Sequence, residues 1–285
     1  MTSKLLSIAD HDRNAAGMTY VYPVVSRRAG GLSVGINLNP NNACNWRCIY
    51  CQVPDLVRGK APPIDIGQLQ AELRYMLQQI VQGDYLQQHV PEGVRRLNDI
   101  AFSGNGEPTS VGNFAEVVEA VVAVMREFEL DGKIRLVLIT NGSQAERRHV
   151  REGLAVMAAH GGEVWFKMDR ATVAGMQQVN SVHVDPAAHM RRLLTVATIC
   201  PVWVQSCWFV LDGCVPDEVE QLSYLRWLRQ AAEGAGTNLR GVLLYGIARP
   251  SMQPEAVRLA TLPPEWLNVL AERIRQQGLA VRVSP

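Results

Sequence analysis

Apolar and polar residues alternate along residues 31–39, Gly-Leu-Ser-Val-Gly-Ile-Asn-Leu-Asn, which is the period of a strand, and Pro40 closes the run. Over residues 66–80 the period changes: Leu69, Leu73, Met76, Leu77 and Ile80 fall on one helical face. Residues 99–103 then predict a second strand and residues 111–128 an apolar helix. Residues 134–140 form an uninterrupted apolar strand that stops at the Asn141-Gly142 turn, with a helix following over about residues 144–159. The series continues with strands at 164–168, 202–211 and 241–247, and with helical stretches at 189–199, 217–232 and 264–277. Residues 280–283 offer a closing strand. Six successive strand-then-helix units predict parallel strands joined by right-handed crossovers, an α/β protein. Periodicity alone leaves two forms open, a curved incomplete barrel and a doubly wound sheet.

Length and composition add little to that frame. A chain of 285 residues with 47% hydrophobic content can bury one large α/β core. The net charge of +1 carries no global signature of nucleic-acid or membrane binding. Charge is uneven, however: residues 1–60 hold seven basic side chains (Lys4, Arg13, Arg27, Arg28, Arg47, Arg58 and Lys60) against Asp10, Asp12 and Asp55. Such a stretch is either a basic mouth for an acidic partner or a solvated surface. The first ten residues have too short an apolar run for an export signal, and no stretch is long enough to span a bilayer, so a cytoplasmic location is expected.

Six cysteines, three of them clustered, suit metal binding in a reducing compartment better than disulfides. The cluster is Cys44-Asn45-Trp46-Arg47-Cys48-Ile49-Tyr50-Cys51, directly after the first predicted strand. A cubane 4Fe-4S cluster ordinarily takes four thiolates, so three on one loop leave one iron open to a ligand. Zinc is the alternative, but it needs a fourth ligand and the loop contains no histidine. Cys200, Cys207 and Cys214 are evenly spaced and could hold an auxiliary cluster. Against that, Cys207 lies among Trp203, Trp208 and Phe209, where a free cysteine acts as a small hydrophobe. The scattered histidines suggest no ligand set.

A second motif, Phe102-Ser103-Gly104-Asn105-Gly106-Glu107-Pro108-Thr109, follows the second predicted strand. Its glycines allow a close backbone approach, and Glu107 supplies a carboxylate suited to an ammonium group. A tight turn before a helix, with Pro108 near the first position, is the structural alternative. No third glycine follows at the spacing of a dinucleotide fingerprint.

The two motifs, one βα unit apart, resemble the signatures of the radical S-adenosylmethionine (radical SAM) enzymes. The resemblance covers roughly residues 30–250. It implies a partial (β/α)6 barrel of TIM-like type, with an N-terminal extension at 1–29 and a C-terminal loop, helix and strand at 251–285 that close it. It also implies one 4Fe-4S cluster on Cys44, Cys48 and Cys51, with S-adenosylmethionine chelating the open iron. Gly104, Asn105, Gly106 and Glu107 resemble the motif that binds the cofactor's amino group, although Asn105 stands where the commonest form has no side chain. Tyr50 resembles the aromatic residue near the adenine; core packing is its other reading.

Parallel α/β barrels carry their sites at the carboxyl ends of the strands, which nominates further residues. Asn141 is polar lining or part of a turn. Lys167 and Asp169 match positions used for the cofactor's ribose or carboxylate, or they form an internal ion pair. Gln205, Tyr245 and Arg249 are candidate pocket residues.

By the same resemblance, an electron from flavodoxin or ferredoxin would cleave the bound cofactor to methionine and a 5′-deoxyadenosyl radical, which takes hydrogen from a substrate. The nearest subgroup resembles iron–sulfur oxidoreductases related to the wybutosine-synthesis enzyme, on three features: Asn37-x-Asn39-Pro40, the motif at 102–109, and Ile247-Ala248-Arg249-Pro250. That enzyme has N-terminal cysteines for a second cluster; this chain has none before Cys44, and no strong basic stripe for RNA. An RNA or nucleotide substrate and a protein substrate both stay open. The rival function is a non-enzymatic iron–sulfur or zinc sensor or assembly protein.

Overall fold

A computed structural model of the chain describes residues 5–7, 17–26 and 30–285. Lys4, Arg13, Arg27 and Arg28, and with them most of the basic side chains of residues 1–60 and seven of the first ten residues, lie outside the described residues. The chain runs through β1 (Val21–Ser26) and β2 (Gly31–Asn37), then the two-residue strands β3 (Ala43–Cys44) and β4 (Val57–Arg58). Next come α1 (Ile66–Val81), the short α2 (Tyr85–His89), β5 (Leu97–Ser103), α3 (Phe114–Glu127), β6 (Arg135–Thr140) and α4 (Arg148–Ala159). The second half holds β7 (Glu163–Lys167), α5 (Val173–Asn180), α6 (Pro186–Ala197), β8 (Val202–Trp208), β9 (Val210–Leu211), α7 (Glu218–Ala235) and β10 (Leu239–Gly246). The chain ends with β11 (Leu259–Ala260), α8 (Pro264–Arg275) and β12 (Val281–Ser284).

Eight strands form one curled sheet in the order β1-β2-β5-β6-β7-β8-β10-β12. From β2 onward every pairing is parallel, and only β1 runs antiparallel, against β2. The predicted α/β class with six strand-then-helix units is therefore present, and the sheet is an open half-barrel rather than a closed one.

Strand alternation sorts the residues. Outward-facing Leu32, Val34, Ile36, Ile100, Phe102, Leu136, Leu138, Val164, Phe166, Val202, Val204, Val242 and Leu244 are all buried in one core with the helices. The inner face at the amino ends is plugged by Ala101, Val137, Trp165, Trp203 and Leu243. Glu163 completes the plug: its carboxylate accepts the Trp165 Nε1 hydrogen at 2.9 Å and the Trp203 Nε1 hydrogen at 3.2 Å, so neither buried indole is left unpaired. On the β2 and β5 side the Ser33 hydroxyl, which donates to the Asp99 carboxylate, and Asp99 itself line the cavity instead.

Three elements depart from the sequence expectation. Val21–Ser26, within the predicted extension, is an edge strand; Pro23 suits an edge, where one backbone hydrogen faces away from the sheet. The Glu72 carboxylate of α1 pins its start, accepting from the backbone N–H groups of Thr19, Tyr20 and Val21 at 3.0, 2.7 and 3.2 Å. The strand predicted at 202–211 stops at Trp208; Val210–Leu211 peels away to pair with Leu259–Ala260. Helix α5, eight residues interrupted by Gly175, had no periodicity long enough to announce it, and Thr172 caps it by accepting from the Gly175 N–H at 2.9 Å.

His189 of α6 is fully buried, against the rings of Phe166 and Trp46 at 4.6 and 5.5 Å. Its Nε2 lies 2.9 Å from the Lys167 carbonyl oxygen, which can only accept, so Nε2 carries the proton and Nδ1 does not. Burial lowers its pKa from 6.5 to about 4. The unfolded chain thus binds a proton near pH 6.5 that the folded chain refuses until about pH 4, and stability falls as pH drops through that window, by up to about 3 kcal/mol. Denaturant melts at pH 7 and pH 4 should differ by less in His189→Gln than in the wild type; equal pH slopes would contradict this assignment.

Candidate active site

The cysteine loop follows β2 and the Gly104–Glu107 segment follows β5, the strand beside it, so the two loops emerge side by side at the mouth. Their contact is close. Asn37 Oδ1, at the end of β2, accepts from the backbone N–H groups of Asn39 at 3.1 Å and Asn105 at 3.0 Å. Asn39 Nδ2 donates to the Ala43 carbonyl at 2.9 Å, and Asn105 Nδ2 to Asn42 Oδ1 at 2.6 Å. A Cβ on Gly106 would sit 2.1 Å from the Ala43 carbonyl oxygen, and one on Gly104 would sit 2.4 Å from Asn37 Oδ1. Gly104 also has φ of 131°, closed to other residues. The close approach that these glycines permit is made by the cysteine loop itself.

Glu107 is buried, 2% exposed. One carboxylate oxygen accepts from the Thr109 N–H at 3.1 Å and from the Thr109 and Thr140 hydroxyls, each at 2.5 Å; the other accepts from the Asn141 N–H at 2.7 Å. Burial raises its pKa, and these donors oppose the rise. The carboxylate ties the loop after β5 to the end of β6. Asn141 extends the tie: its Nδ2 donates to Asn45 Oδ1 at 2.8 Å, inside the cysteine loop, and its Oδ1 accepts from the Ser143 N–H at 3.0 Å.

The cysteine loop is gripped from two further sides, neither signalled by the sequence. The Arg47 and Ile49 N–H groups donate to the Asn180 and Val179 carbonyls at the end of α5, at 3.2 and 2.9 Å. Beyond β10, Ser251 Oγ donates to the Ile49 carbonyl at 2.8 Å, the Met252 N–H to the Cys51 carbonyl at 2.9 Å, and Gln253 Nε2 to the Val53 carbonyl at 2.9 Å. Glu255 pairs with both terminal nitrogens of Arg47, and Arg58 donates to the Asn45 and Ser181 carbonyls. These two cations of the basic stretch serve internal contacts.

Cys44, Cys48 and Cys51 are all free and half-buried, and all three line one cavity of about 270 Å³. Burial pushes the Cys44 thiol up to about 12 and the Cys48 thiol to about 11. Both are thus held protonated until a metal displaces the proton. Among the described residues, no three His, Cys, Asp or Glu side chains converge as a finished metal-binding group. The donor set nevertheless fits an iron–sulfur cluster: three soft thiols face a shared cavity, and among the described residues no histidine lines it.

Gly104, Asn105, Gly106, Glu107, Asn141, Tyr50, Lys167, Gln205, Tyr245 and Arg249 line the same cavity. Asp169 stands behind the lining. Fully buried, it accepts from Tyr50 Oη at 2.6 Å, Asn180 Nδ2 at 2.7 Å and the Cys207 N–H at 2.9 Å. Lys167 Nζ donates to Tyr50 Oη at 2.5 Å and lies 3.8 Å from Asp169, so the internal ion pair is present. Burial alone would lower the Lys167 pKa, but Asp169 and its neighbours outweigh it and hold the ammonium charged. Burial, then Asp169, pushes the Tyr50 phenol up, and its ring packs 5.5 Å from Phe209. Of the second cysteine set, Cys207 lines the cavity, Cys200 is buried with its thiol on the Gly162 carbonyl at 3.4 Å, and Cys214 is exposed.

Solved structures share this fold. Streptococcus suis SuiB bound to precursor peptide SuiA matches with a TM-score of 0.55 at 12% identity, covering 88% of this chain and 48% of that one. TYW1 with a lysine-pyruvate adduct bound gives 0.57 at 12%, covering 86% and 73%. A radical SAM methyltransferase from Sphaerobacter thermophilus gives 0.58 at 14%, covering 92% and 68%. The chain has the partial-barrel fold of the radical SAM enzymes.

Curated relatives carry less specific names. A UPF0026 protein of Helicobacter pylori is 25% identical over 137 residues, 46% of this chain and 37% of its own. One from Methanocaldococcus jannaschii is 29% identical over 168 residues, 57% of this chain and 44% of its own. A protein named GTPase Obg, from Brachyspira hyodysenteriae, is 26% identical over 134 residues, 47% of this chain and 17% of its own. The chain thus spans about half the length, or less, of the curated relatives it matches. No protein-family model matches it.

The Glu107 tie has a measurable consequence. In Glu107→Gln one oxygen becomes an amide that cannot accept, leaving either the Asn141 N–H or the threonine donors unpaired in a buried site. Denaturant unfolding of the cluster-free protein should lose about 1 to 3 kcal/mol. Unchanged stability would mean that the tie is dispensable.

Proposed function

We propose that the protein is a radical SAM enzyme whose cluster is held by Cys44, Cys48 and Cys51. The observation that carries this reading is a juxtaposition. The three-cysteine loop after β2 and the Gly-x-Gly-Glu-Pro loop after β5 meet at the open mouth of the half-barrel and line one cavity. When bound, the cluster and S-adenosylmethionine would supply a 5′-deoxyadenosyl radical for hydrogen abstraction from the substrate.

The chain's own residues provide the enclosure and orientation. Backbone groups of Gly104, Asn105 and Gly106 are fixed beside the thiols by Asn37 and Asn39, so they can present polar groups to the cofactor's amino acid end. Glu107 and Asn141 set that loop and also line the cavity, where they can meet the cofactor. Tyr50 offers an aromatic face beside Cys51, with its phenol anchored on Asp169 and Lys167. Gln205, midway along β8, and the charged Lys167, at the end of β7, supply polar wall for a ribose or carboxylate. The apolar plug of Trp165, Trp203 and Leu243 excludes water from the floor, which a reactive radical requires. An acidic flavodoxin- or ferredoxin-type protein is the proposed electron source.

Among fold neighbours, one is bound to a precursor peptide and another holds a lysine-pyruvate adduct, so the fold is compatible with either a protein or a smaller substrate here. The test is anaerobic reconstitution followed by dithionite and S-adenosylmethionine. The wild type should bind iron and sulfide and release 5′-deoxyadenosine. Cys44→Ala, Cys48→Ala and Cys51→Ala should each fall to the level of cluster-free protein. Wild-type cleavage by any of the three, or a wild type that takes zinc and no iron, would sink the proposal; a cluster that never cleaves the cofactor would point to a sensor.

A further inference from the structure

Asn180, the last residue of α5, is fully buried, and its Nδ2 lies 3.2 Å from Cys48 Sγ. The same NH2 group lies 2.7 Å from Asp169 Oδ2. A carboxylate oxygen can only accept, so Asp169 forces the donor end of the amide toward itself and therefore toward the sulfur. One hydrogen goes to the carboxylate and the other to Cys48. Register is fixed as well, because backbone hydrogen bonds from Arg47 to Asn180 and from Ile49 to Val179 bracket Cys48. The helix ends immediately afterwards, where Ser181 turns left-handed at φ of 54°. Trp46, Met176 and Val182 pack around the cysteines here, and in such a dry setting a hydrogen bond to sulfur is electrostatically stronger than in water.

We propose that Asn180 tunes the reduction potential of the cluster, by donating a hydrogen bond to the Cys48 thiolate from an amide that Asp169 holds in orientation. The inference rests on the cluster reading above. A hydrogen bond to a ligand sulfur stabilises negative charge there, and one-electron reduction adds such charge, so the bond favours the reduced form and raises the potential. Asn180 is a positioning residue: it touches the ligand, not the substrate. It would make the cluster easier to reduce.

The experiment is an EPR-monitored redox titration of the reconstituted protein, with dithionite as reductant. Asn180→Leu keeps the branching at Cγ and removes the donor. The expected result is reduction about tenfold less favourable, a potential about 59 mV lower for one electron, at wild-type iron and sulfide content. Asn180→Ser, whose hydroxyl is too short to reach the sulfur, should move the same way and serves if the leucine variant does not fold. A wild-type potential in either loaded variant would overturn the inference. Loss of the cluster from both variants in folded form would also overturn it, in favour of a purely structural contact. A wild type that takes up no 4Fe-4S cluster would overturn the cluster reading itself, and this inference with it.

Discussion

The whole site depends on how closely two neighbouring loops pass at the mouth of the half-barrel. Gly106 runs so near the Ala43 carbonyl that a single added methyl group would overlap it, and Gly104 does the same against Asn37. That contact locks the cysteine loop to the strand beside its own. Glu107 then extends the lock to β6, and Asn141 returns it to Asn45. Three strand ends are thereby joined by buried, mutually satisfied polar groups, which is the kind of network that rigidifies a site when every member is paired. The thiols can vary in position only as far as this frame lets them.

The rest of the fold supplies complementary constraints. The inner face is divided. Indoles and aliphatic side chains fill the amino ends of the later strands, with Glu163 satisfying both indole hydrogens, whereas polar side chains occupy the carboxyl ends and, at Ser33 and Asp99, the amino ends of β2 and β5. The segment after β10 and the end of α5 hold the outer side of the cysteine loop, so residues distant in sequence finish what β2 begins. Tyr50, Lys167 and Asp169 link that loop to the opposite wall.

Much of this was legible in the sequence because local patterns carried it. Strands buried on their outer face read as apolar runs, helices α1 and α3 as 3.6-residue periods, and the two loop motifs as fixed spacings. Other parts had no local signature. Val21–Ser26 contains a proline that argues against an interior strand and is tolerated because the strand is an edge. Helix α5 is too short for its period to show, and Asn180 matters only because folding brings it 132 positions back along the chain to Cys48. Glu107 was recognisable as important, but its partners, Thr140 and Asn141, are tertiary neighbours. Sequence spacing therefore marked residues that meet at one cavity, whereas the groups that hold them in place come from long-range contacts.

The central claim is that the three thiols hold one cluster with an iron left open for the cofactor. The most direct measurement is electron–nuclear double resonance on the reduced, reconstituted wild type, with S-adenosylmethionine labelled at its amino nitrogen and carboxylate oxygens. The account predicts hyperfine coupling from both labels, because both groups bind the open iron. A well-formed cluster whose spectrum is identical with and without the cofactor would contradict it.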